Sequence, residues 1–300
     1  MMSDFSEKLN NYVSEFNSFV KKEMDSFELA NRKSEGSSKM LEAMNYSLSN
    51  GGKRIRPVLT MEFCNACGGD YKSSLNFALA LEMVHTYSLI HDDLPCMDND
   101  NMRRGKPSNH IVYGYANALL AGDGLLTLAF EESTKSNLDS NKIVKAVNIL
   151  STAAGFSGMI AGQVMDLENE NRAVDIDIVK KTDSLKTGEM IKAAAVLGCI
   201  AAGASADYIN AAEIYSADIG LAFQIVDDIL DVTSDEKTLG KPINSDSENK
   251  KTTYVSLLGI EECKKTVNAL TENAIKALDV FGDKAEFLKE LAFNLSNRKK

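Results

Sequence analysis

Proline is scarce in this chain: only four occur in 300 positions. Because proline removes a backbone N–H donor and ends helices, its scarcity leaves long stretches free to be helical. Runs of alternating β-branched residues bounded by turn dipeptides are also missing, so no segment is predicted to be a strand. Between the prolines, apolar residues recur every three or four positions, for example at Ala78, Leu81, Val84 and Leu89. This is the period of an α-helix, and the sequence predicts an all-α fold.

Cysteine is scarce too, and its five positions are an odd number. With no secretory leader, such a chain is expected to carry free thiols in a reducing cytosol. The only CxxC pair, Cys64 and Cys67, has no second ligand pair nearby, which argues against a zinc site. Residues 1–21 alternate charged and apolar types, and the longest small-apolar stretch, residues 193–206, is too short to span a bilayer. We therefore expect a cytoplasmic protein without a membrane span.

An excess of positive charge is absent, since the formal net charge is −10. This argues against nucleic acid or an anionic membrane surface as the main partner, because both select for basic faces. Cations are nevertheless gathered locally, at residues 53–56, 103–106 and 250–251. Such local groups are suited to a small anionic substrate.

Helices are predicted near residues 5–22, 37–49, 56–67, 73–94, 110–136, 141–168, 175–201, 207–232, 252–281 and 284–297. No Pro/Ser-rich linker and no abrupt shift in composition divides these segments. We therefore expect one domain over residues 1–300.

Two aspartate clusters stand out, each within an apolar, helix-like segment. Their members are Asp92, Asp93 and Asp98, and Asp227, Asp228 and Asp231. On a helix, Asp227 and Asp231 share one face. In the first cluster a helix end near Pro95 would bring Asp98 back beside Asp92. Crowded carboxylates repel one another unless a cation lies between them, and Mg²⁺ binds carboxylates together with substrate phosphate oxygens. The clusters predict a metal and diphosphate site.

Basic residues accompany the clusters. Arg103 and Arg104 follow the first cluster, and Lys53 and Arg56 follow a double glycine. Guanidinium forks bind phosphate oxygens bidentately, so these side chains suit a diphosphate. The double-glycine segment is not a P-loop, because Arg54 stands where Ser or Thr would follow the lysine.

Six stretches make the chain resemble the trans-isoprenyl diphosphate synthases, particularly the bacterial farnesyl diphosphate synthases. They are GGKRIRP from Gly51, HTYSLIHDDLPCMDNDNMRRGKPSNH from His85, GQVMDLE from Gly162, KTGEMIKAA from Lys186, FQIVDDILDVTSD from Phe223 and GKPINSD from Gly240. The resemblance covers about residues 40–260. It implies a single-domain helical bundle around a central cavity, a homodimer, and up to three Mg²⁺ ions bound with diphosphate. The implied reaction joins isopentenyl diphosphate to dimethylallyl and geranyl diphosphate, giving farnesyl diphosphate.

The resemblance also implies roles for individual residues. The six aspartates of the two clusters are the implied Mg²⁺ ligands. The implied clamp on the allylic diphosphate is Arg103, Lys186 and Lys241. The implied site for isopentenyl diphosphate is Gly52, Lys53, Arg56, His85 and Arg104, with Phe223 packing against that substrate. Thr187 and Gln224 would border the allylic cation with oxygen dipoles.

Product length depends on the residues before the first aspartate. If residues 74–93 are helical, Tyr87 lies five residues before Asp92, about 7.5 Å along the axis. In this family a bulky aromatic at that position accompanies a short product, so Tyr87 favours the C15 product, with Ser88 leaving space beside it. A C20 geranylgeranyl diphosphate synthase stays open, because Cys96 and Asn99 also occur in such enzymes.

Less specific alternatives also remain. His85 and Tyr87 could be ordinary core residues, since apolar helix faces commonly contain such side chains. The pair His91-Asp92 allows a metal-dependent phosphohydrolase, although three histidines are few for such a site. A non-catalytic partner of a separate synthase is the third alternative, although such a partner has no reason to keep six like charges together.

Overall fold

The computed structural model describes residues 2–31, 34–233 and 252–298. Within these ranges the α-helices are α1 Met2–Asn31, α2 Glu35–Leu48, α3 Ile55–Ala66, α4 Leu75–Asp92, α5 Asn109–Tyr113, α6 Tyr115–Thr134, α7 Ser140–Ala154, α8 Met159–Asn169, α9 Ile176–Asp183, α10 Glu189–Ala202, α11 Ala206–Thr233, α12 Tyr254–Leu258, α13 Ile260–Ala277 and α14 Glu286–Ser296. Two 3₁₀ segments, Tyr71–Ser74 and Leu278–Ala285, and one π-helical turn, Ser184–Gly188, join some of them. The all-α prediction is confirmed.

Several predicted boundaries differ from the structure. Helix α1 continues to Asn31 because its buried stripe continues to Met24, beyond the end predicted at residue 22. The helix predicted over 110–136 is divided at Gly114, whose φ of 82° is incompatible with an α-helix. The helix predicted over 141–168 is divided between Ala154 and Met159. Packing decides such interruptions, whereas the apolar period continues across them.

The expectation of no strand is wrong for one short hairpin. Strands β1 Met102–Arg103 and β2 Lys106–Pro107 pair antiparallel. Arg104 and Gly105 have φ values of 52° and 76°. Two consecutive positive φ angles are typical of the tight turns that match strand twist, and glycine adopts them at little cost. The ladder is too short for an alternating pattern to reveal it.

The chain divides into two compact units. The first comprises residues 1–61 and 70–147, and the second comprises residues 62–69 and 148–300. In the first unit, α4 packs against α6 and is buried nearly all round, as its residues Phe77, Leu79, Leu81 and Met83 show. A helix that is apolar on every side belongs in the centre of a core. The expected single domain over residues 1–300 stays a prediction.

In the second unit, α11 is the central helix and packs against α10 and α13. Ala222, Ile225 and Val226 of α11 lie in one apolar cluster with Tyr254 and Val267. Because one face of α11 is buried in this cluster, the orientation of the helix is fixed, and with it the position of the second aspartate cluster. This arrangement is the amphipathic pattern expected of a helix that both packs and presents polar groups.

One stretch, Ser140–Asn169, has the mean hydropathy of a membrane span, 1.4 in its best window, and 33% of that window is buried. Its backbone, however, consists of α7 and α8, which are 15 and 11 residues long. A spanning helix needs about 20 residues without a break. Neither helix reaches that length.

Candidate active site

The first aspartate cluster lies at the carboxyl end of α4. Asp92 is the last helical residue and Asp93 caps the helix. The chain then turns back, so that the backbone N–H of Asp98 donates to the carbonyl oxygen of Asp92 at 2.8 Å. The predicted return of Asp98 to Asp92 is therefore confirmed. Asp92 is half-buried and Asp98 is exposed, so both carboxylates remain reachable from solvent.

Asp93 is instead engaged within the protein. The Nε of Arg103 lies 2.9 and 3.2 Å from its two carboxylate oxygens, and Nη2 of Arg103 donates to it as well. Burial raises the pKa of Asp93, against the lowering effect of Arg103. Arg103 was predicted to clamp a diphosphate, and in the structure its charge is shared with an aspartate of the predicted metal site.

The hairpin also positions Arg104 against the double glycine. Nη1 of Arg104 donates to the carbonyl oxygen of Gly51 at 2.8 Å. A Cβ on Gly52 would lie 2.8 Å from the guanidinium carbon of Arg104, and the φ of Gly52 is 109°. The positive φ is what favours glycine at position 52, whereas the flexible Arg104 side chain could move away from a Cβ.

A cationic group surrounds His85 in this unit. Burial lowers the pKa of Arg56. Burial, and then the charges of Arg56 and Arg104, lower the pKa of His85 well below its usual range. His85 is therefore neutral near pH 7, and Arg56 and Arg104 repel each other, because the charge of Arg104 adds to the effect of burial in lowering the pKa of Arg56. An anion is the ligand that relieves such mutual repulsion.

Arg54 also lowers the pKa of His85, after burial, Arg56 and Arg104, but its own charge is already paired within the protein. Its Nη1 lies 2.6 Å from Oε1 of Glu82, and both side chains are almost fully buried. Its Nη2 donates to the carbonyl oxygen of Leu48 at 2.7 Å. Arg54 is a structural residue that joins α4 to the end of α2, whereas Lys53 beside it is exposed.

Tyr87 and Ser88 lie on α4 before the first cluster, as predicted. Tyr87 is buried, and its ring packs edge-on against His91 with centroids 5.6 Å apart. Burial, with a smaller effect from Asp92, raises the pKa of Tyr87 to about 12. The hydroxyl of Ser88 donates to the carbonyl oxygen of His85 at 2.9 Å. These contacts locate both side chains, while their effect on product length stays a prediction.

In the second unit, a cavity of about 250 Å³ brings together several predicted residues. It is lined by Lys186, Thr187, Gln224, Asp227 and Asp228, and also by Asp183. Lys186 and Thr187 lie in the π-helical turn between α9 and α10. Such turns frequently occur at functional sites, because they reorient side chains within a helix.

Close packing holds the π-helical turn in place. A Cβ on Gly162 of α8 would lie only 2.1 Å from the backbone nitrogen of Lys186, so glycine is required there. One turn along α8, Oδ2 of Asp166 lies 2.7 Å from Nζ of Lys186. Asp166 thus orients a lysine predicted to bind diphosphate. The two residues are 20 positions apart in the sequence, so only the fold shows this contact.

Asp183 is a cavity residue that the sequence interpretation missed. Burial raises the pKa of its carboxyl to about 6, against the opposing effects of Tyr254 and Gln224. Asp183 lies three residues before Lys186, which is one helical turn. That spacing is the signal that could have identified it. The elevated pKa reflects burial, which the sequence does not show.

The second aspartate cluster lies near the end of α11. Oδ2 of Asp228 accepts the backbone N–H of Tyr254 at 2.7 Å. Asp231 is buried, with 3% of its surface exposed. Oδ1 of Asp227 lies 2.8 Å from Nη2 of Arg298, which follows α14. Lys241, predicted for the diphosphate clamp, lies outside the described residues.

The donor chemistry of both clusters fits Mg²⁺. In each cluster a guanidinium already neutralises one carboxylate, Asp93 through Arg103 and Asp227 through Arg298. These pairs show that each cluster accommodates positive charge beside its carboxylates. Within the described ranges, no three carboxylate, thiol or imidazole groups converge to hold an ion by themselves. Mg²⁺ commonly completes its shell with water and substrate phosphates, so a partial protein ligand set is suitable.

Comparison with known proteins agrees with this chemistry. The model of the polyprenyl synthetase family matches residues 37–291. Farnesyl diphosphate synthase of Micrococcus luteus is 44% identical over 263 residues, which cover 87% of this chain and 90% of that protein. Geranylgeranyl diphosphate synthase of Cyanophora paradoxa is 44% identical over 260 residues, which cover 86% of this chain and 87% of that protein.

A solved structure also resembles the fold. The structure of geranyltransferase from Helicobacter pylori, complexed with magnesium and isoprenyl diphosphate, has a TM-score of 0.78 and 34% identity. The match covers 94% of this chain and 96% of that one. The resemblance indicated by the motifs is confirmed, and the chain belongs to the polyprenyl synthetase family.

Proposed function

We propose that this chain is a Mg²⁺-dependent trans-prenyltransferase that forms farnesyl diphosphate from isopentenyl diphosphate and dimethylallyl or geranyl diphosphate. The observation that carries the proposal is the cationic group around His85, in which Arg56 and Arg104 add to the effect of burial in lowering the pKa of that imidazole. A diphosphate supplies the negative charge that this group lacks. The identity with farnesyl diphosphate synthases supports the choice of substrate.

In the proposed reaction, the C–O bond of the allylic diphosphate breaks and pyrophosphate departs. The double bond of isopentenyl diphosphate attacks the resulting carbocation, a C–C bond forms, and a proton is lost. Bound Mg²⁺ supplies positive charge that stabilises the departing pyrophosphate. Fixed cations contribute to the same stabilisation, because negative charge develops on the leaving group in the transition state.

The chain's own residues divide this work between two substrates. Lys53, Arg56 and Arg104 would bind the diphosphate of isopentenyl diphosphate, to which the neutral His85 can donate a hydrogen bond. Lys186, oriented by Asp166, would bind the allylic diphosphate, together with Arg103 and Lys241. Thr187 and Gln224 line the cavity, where their oxygen dipoles would stabilise a carbocation. No protein nucleophile is needed.

Product length is the finer part of the proposal. The buried Tyr87 ring, one turn before His91, favours a short C15 product. The geranylgeranyl diphosphate synthase of Cyanophora paradoxa keeps the C20 product as the second candidate. Replacing Tyr87 by Met should lengthen the product, as measured by mass spectrometry. An unchanged product spectrum would show that Tyr87 does not limit the chain.

A homodimer in the cytoplasm is also part of the proposal. On α5 and α6, the side chains of Ile111, Val112, Tyr115 and Leu120 are between 45% and 52% exposed. Exposed apolar side chains gathered on two helices that contact each other are typical of a protein interface, and a second copy of the chain is its simplest partner. Leu120→Glu should then shift the molar mass from dimer to monomer in light scattering, and an unchanged mass would refute this interface.

The central test is incubation with geranyl diphosphate, isopentenyl diphosphate and Mg²⁺, followed by mass spectrometry. We expect farnesyl diphosphate, loss of activity with a chelator, and recovery on adding Mg²⁺. Asp228→Asn should reduce the rate about 100-fold. Asp207→Asn is the matched control, because Asp207 is exposed on the same helix, and it should have little effect.

The alternatives give different results in the same assay. Release of pyrophosphate without a prenyl product would indicate a phosphohydrolase. A folded protein that consumes neither substrate would favour a non-catalytic partner of another synthase. Either result would overturn the proposed reaction.

A further inference from the structure

Two cysteine thiols of the second unit lie against each other where two helices end. Sγ of Cys67, directly after α3, lies 3.6 Å from Sγ of Cys199 in α10, although 132 positions separate the two residues. Both thiols are free, and Cys67 is half-buried whereas Cys199 is buried. The CxxC spacing would pair Cys67 with Cys64 instead. The fold therefore gives Cys67 a neighbour that the sequence spacing does not indicate.

The way in which both helices end places these thiols. At the end of α3, the backbone N–H of Gly69 donates to the carbonyl oxygen of Cys64 at 2.9 Å, and the N–H of Gly68 donates to a carbonyl oxygen of the same turn. At the end of α10, the N–H of Ala204 donates to the carbonyl oxygen of Cys199 at 2.9 Å. These bonds are those of the Schellman motif, which closes a helix in one defined geometry.

Gly69 lets the two helix ends approach closely. A Cβ on Gly69 would lie 2.9 Å from the Cβ and 3.0 Å from the Cα of Ala202, the last residue of α10. The Cα belongs to the backbone, so rotation of a side chain cannot relieve that contact. Close packing of the two ends therefore holds Cys67 against Cys199, rather than leaving their contact to chance.

The surroundings of Cys67 favour its thiolate. The hydrogen bond with Cys199 lowers the pKa of Cys67, burial opposes this effect, and the charge of Lys284 adds to the lowering. Nζ of Lys284 lies 3.6 Å from the position of a Cβ on Gly68, so it is close to this turn. Its charge also opposes the negative end of the α3 dipole, which disfavours a thiolate. The hydrogen bond with Cys67, followed by burial, raises the pKa of Cys199.

This difference assigns the order in which the two thiols react. The thiolate is the nucleophile, so the more accessible Cys67 reacts with an oxidant first and Cys199 resolves the product. Metal binding is not the chemistry of this site, because no three thiol, imidazole or carboxylate groups converge to hold an ion in the part of the chain that the structure describes.

We propose that Cys67 and Cys199 form a reversible disulfide when the protein meets hydrogen peroxide. The Cys67 thiolate attacks one peroxide oxygen, so that an S–O bond forms, the O–O bond breaks, and hydroxide leaves and takes up the proton of the Cys67 thiol. Sγ of Cys199 then attacks Sγ of the resulting sulfenic acid, an S–S bond forms, the S–O bond breaks, and water leaves with the proton of Cys199. Two thiols are oxidised and one peroxide is reduced to two waters. A dithiol reverses the reaction by thiol–disulfide exchange.

The disulfide would join α3 to α10 and close a loop of 132 residues. A cross-link over a long loop restricts the unfolded chain, so the oxidised protein should have a Tm about 5–10 °C higher than the reduced protein. This inference does not depend on the proposed function, and none of its tests measures prenyl transfer. Its failure therefore leaves the proposed function intact.

The first test uses the unmodified chain. The protein is treated with hydrogen peroxide, remaining thiols are blocked with N-ethylmaleimide in denaturant, and peptides are identified by mass spectrometry. We expect a cross-linked pair that joins Cys67 to Cys199 and disappears after treatment with dithiothreitol. Cys64 lies in the same tryptic peptide as Cys67, so fragment spectra are needed to assign the bond. A disulfide at Cys64, or a Cys67 still blocked by N-ethylmaleimide, would overturn the inference.

The second test separates the two roles with variants. Cys199→Ser removes the resolving thiol, so the sulfenic acid of Cys67 should persist and be labelled by dimedone more strongly than in the wild type. The control is Cys96→Ser, which removes an exposed thiol hydrogen-bonded to the hydroxyl of Tyr115 at 3.1 Å. This control should form the disulfide as the wild type does. Equal dimedone labelling of wild type and Cys199→Ser would show that Cys199 does not resolve the sulfenic acid.

Two further measurements test the environment and the fit of the bond. Lys284→Gln should slow disulfide formation about two- to fivefold, because the thiolate fraction falls. Lys265→Gln, which removes an exposed charge on α13, is the matched control and should leave the rate unchanged. Equal rates for all three proteins would remove Lys284 from the proposed site. Thermal unfolding compares the oxidised and reduced forms, and a lower Tm after oxidation would contradict a disulfide that the native fold accommodates.

Discussion

Replacing Gly162 gives the sharpest test of how the second unit positions Lys186. A Cβ at this position would lie 2.1 Å from the nitrogen and 2.5 Å from the Cα of Lys186, and 2.7 Å from the carbonyl carbon of Leu185. All three atoms belong to the backbone of the π-helical turn, so no side-chain rotation relieves the overlap. To lengthen the 2.1 Å distance to the 3.4 Å of an ordinary contact, the backbone of Lys186 would have to move about 1.3 Å away from α8.

The expected losses of stability and of catalytic rate both follow from that shift. Overpacking of this kind typically costs about 1–3 kcal/mol of stability. A misplacement of about 1 Å in a catalytic group typically reduces the rate about 100-fold. Gly162→Ala should therefore lower kcat for prenyl transfer about 100-fold while the protein remains folded. Steady-state kinetics and urea unfolding measure the two effects separately.

The matched control is Gly188→Ala in the same turn. A Cβ on Gly188 would come no closer than 3.6 Å to a neighbouring atom, the carbonyl oxygen of Asp183. Alanine is also a better helix former than glycine, so this variant should be at least as stable as the wild type. If Gly162→Ala retains normal kcat, or if Gly188→Ala loses as much, close packing does not set the position of Lys186.

Three further predictions concern buried charge. Arg54→Ala leaves the buried carboxylate of Glu82 unpaired and should reduce the free energy of unfolding by about 3–5 kcal/mol in urea titrations. The control is Lys264→Ala, which removes an exposed ion pair and should change the free energy of unfolding little. The raised pKa of Asp183, about 6, means that the folded state disfavours the ionised carboxyl, so this destabilisation develops between about pH 4 and 6 and is complete above pH 6. Asp183→Asn should therefore raise Tm relative to wild type at pH 8 but not at pH 4, and an equal difference at both values would contradict this reasoning. The pKa of His85 is lowered well below its usual range, so its imidazole NMR signals should stay those of the neutral ring down to pH 6. Bound pyrophosphate should raise that pKa, because it places negative charge beside the ring. Titration of His85 near pH 6.5 in the free protein would refute the assignment.

The sequence predicted the local features well, because they depend on neighbouring residues. The apolar period located most helices, and the spacing of Asp227 and Asp231 placed them on one helical face. The return of Asp98 to Asp92 also followed from the proline between them. The helix interruption at Gly114 did not follow, because an apolar period continues through such breaks.

The sequence by itself determined the all-α class, the acidic and basic motifs, and through them the family. Only the tertiary structure decided how the charges pair: Arg54 with Glu82, Arg103 with Asp93, and Arg298 with Asp227. The partners of Arg54 and Arg298 lie 28 and 71 positions away in the chain, a separation at which sequence spacing carries no information about contact. Burial, which raises the pKa of Asp183 and lowers that of His85, is likewise a property of packing. Short motifs determine which residues the site contains, whereas contacts between distant parts of the chain determine its electrostatics.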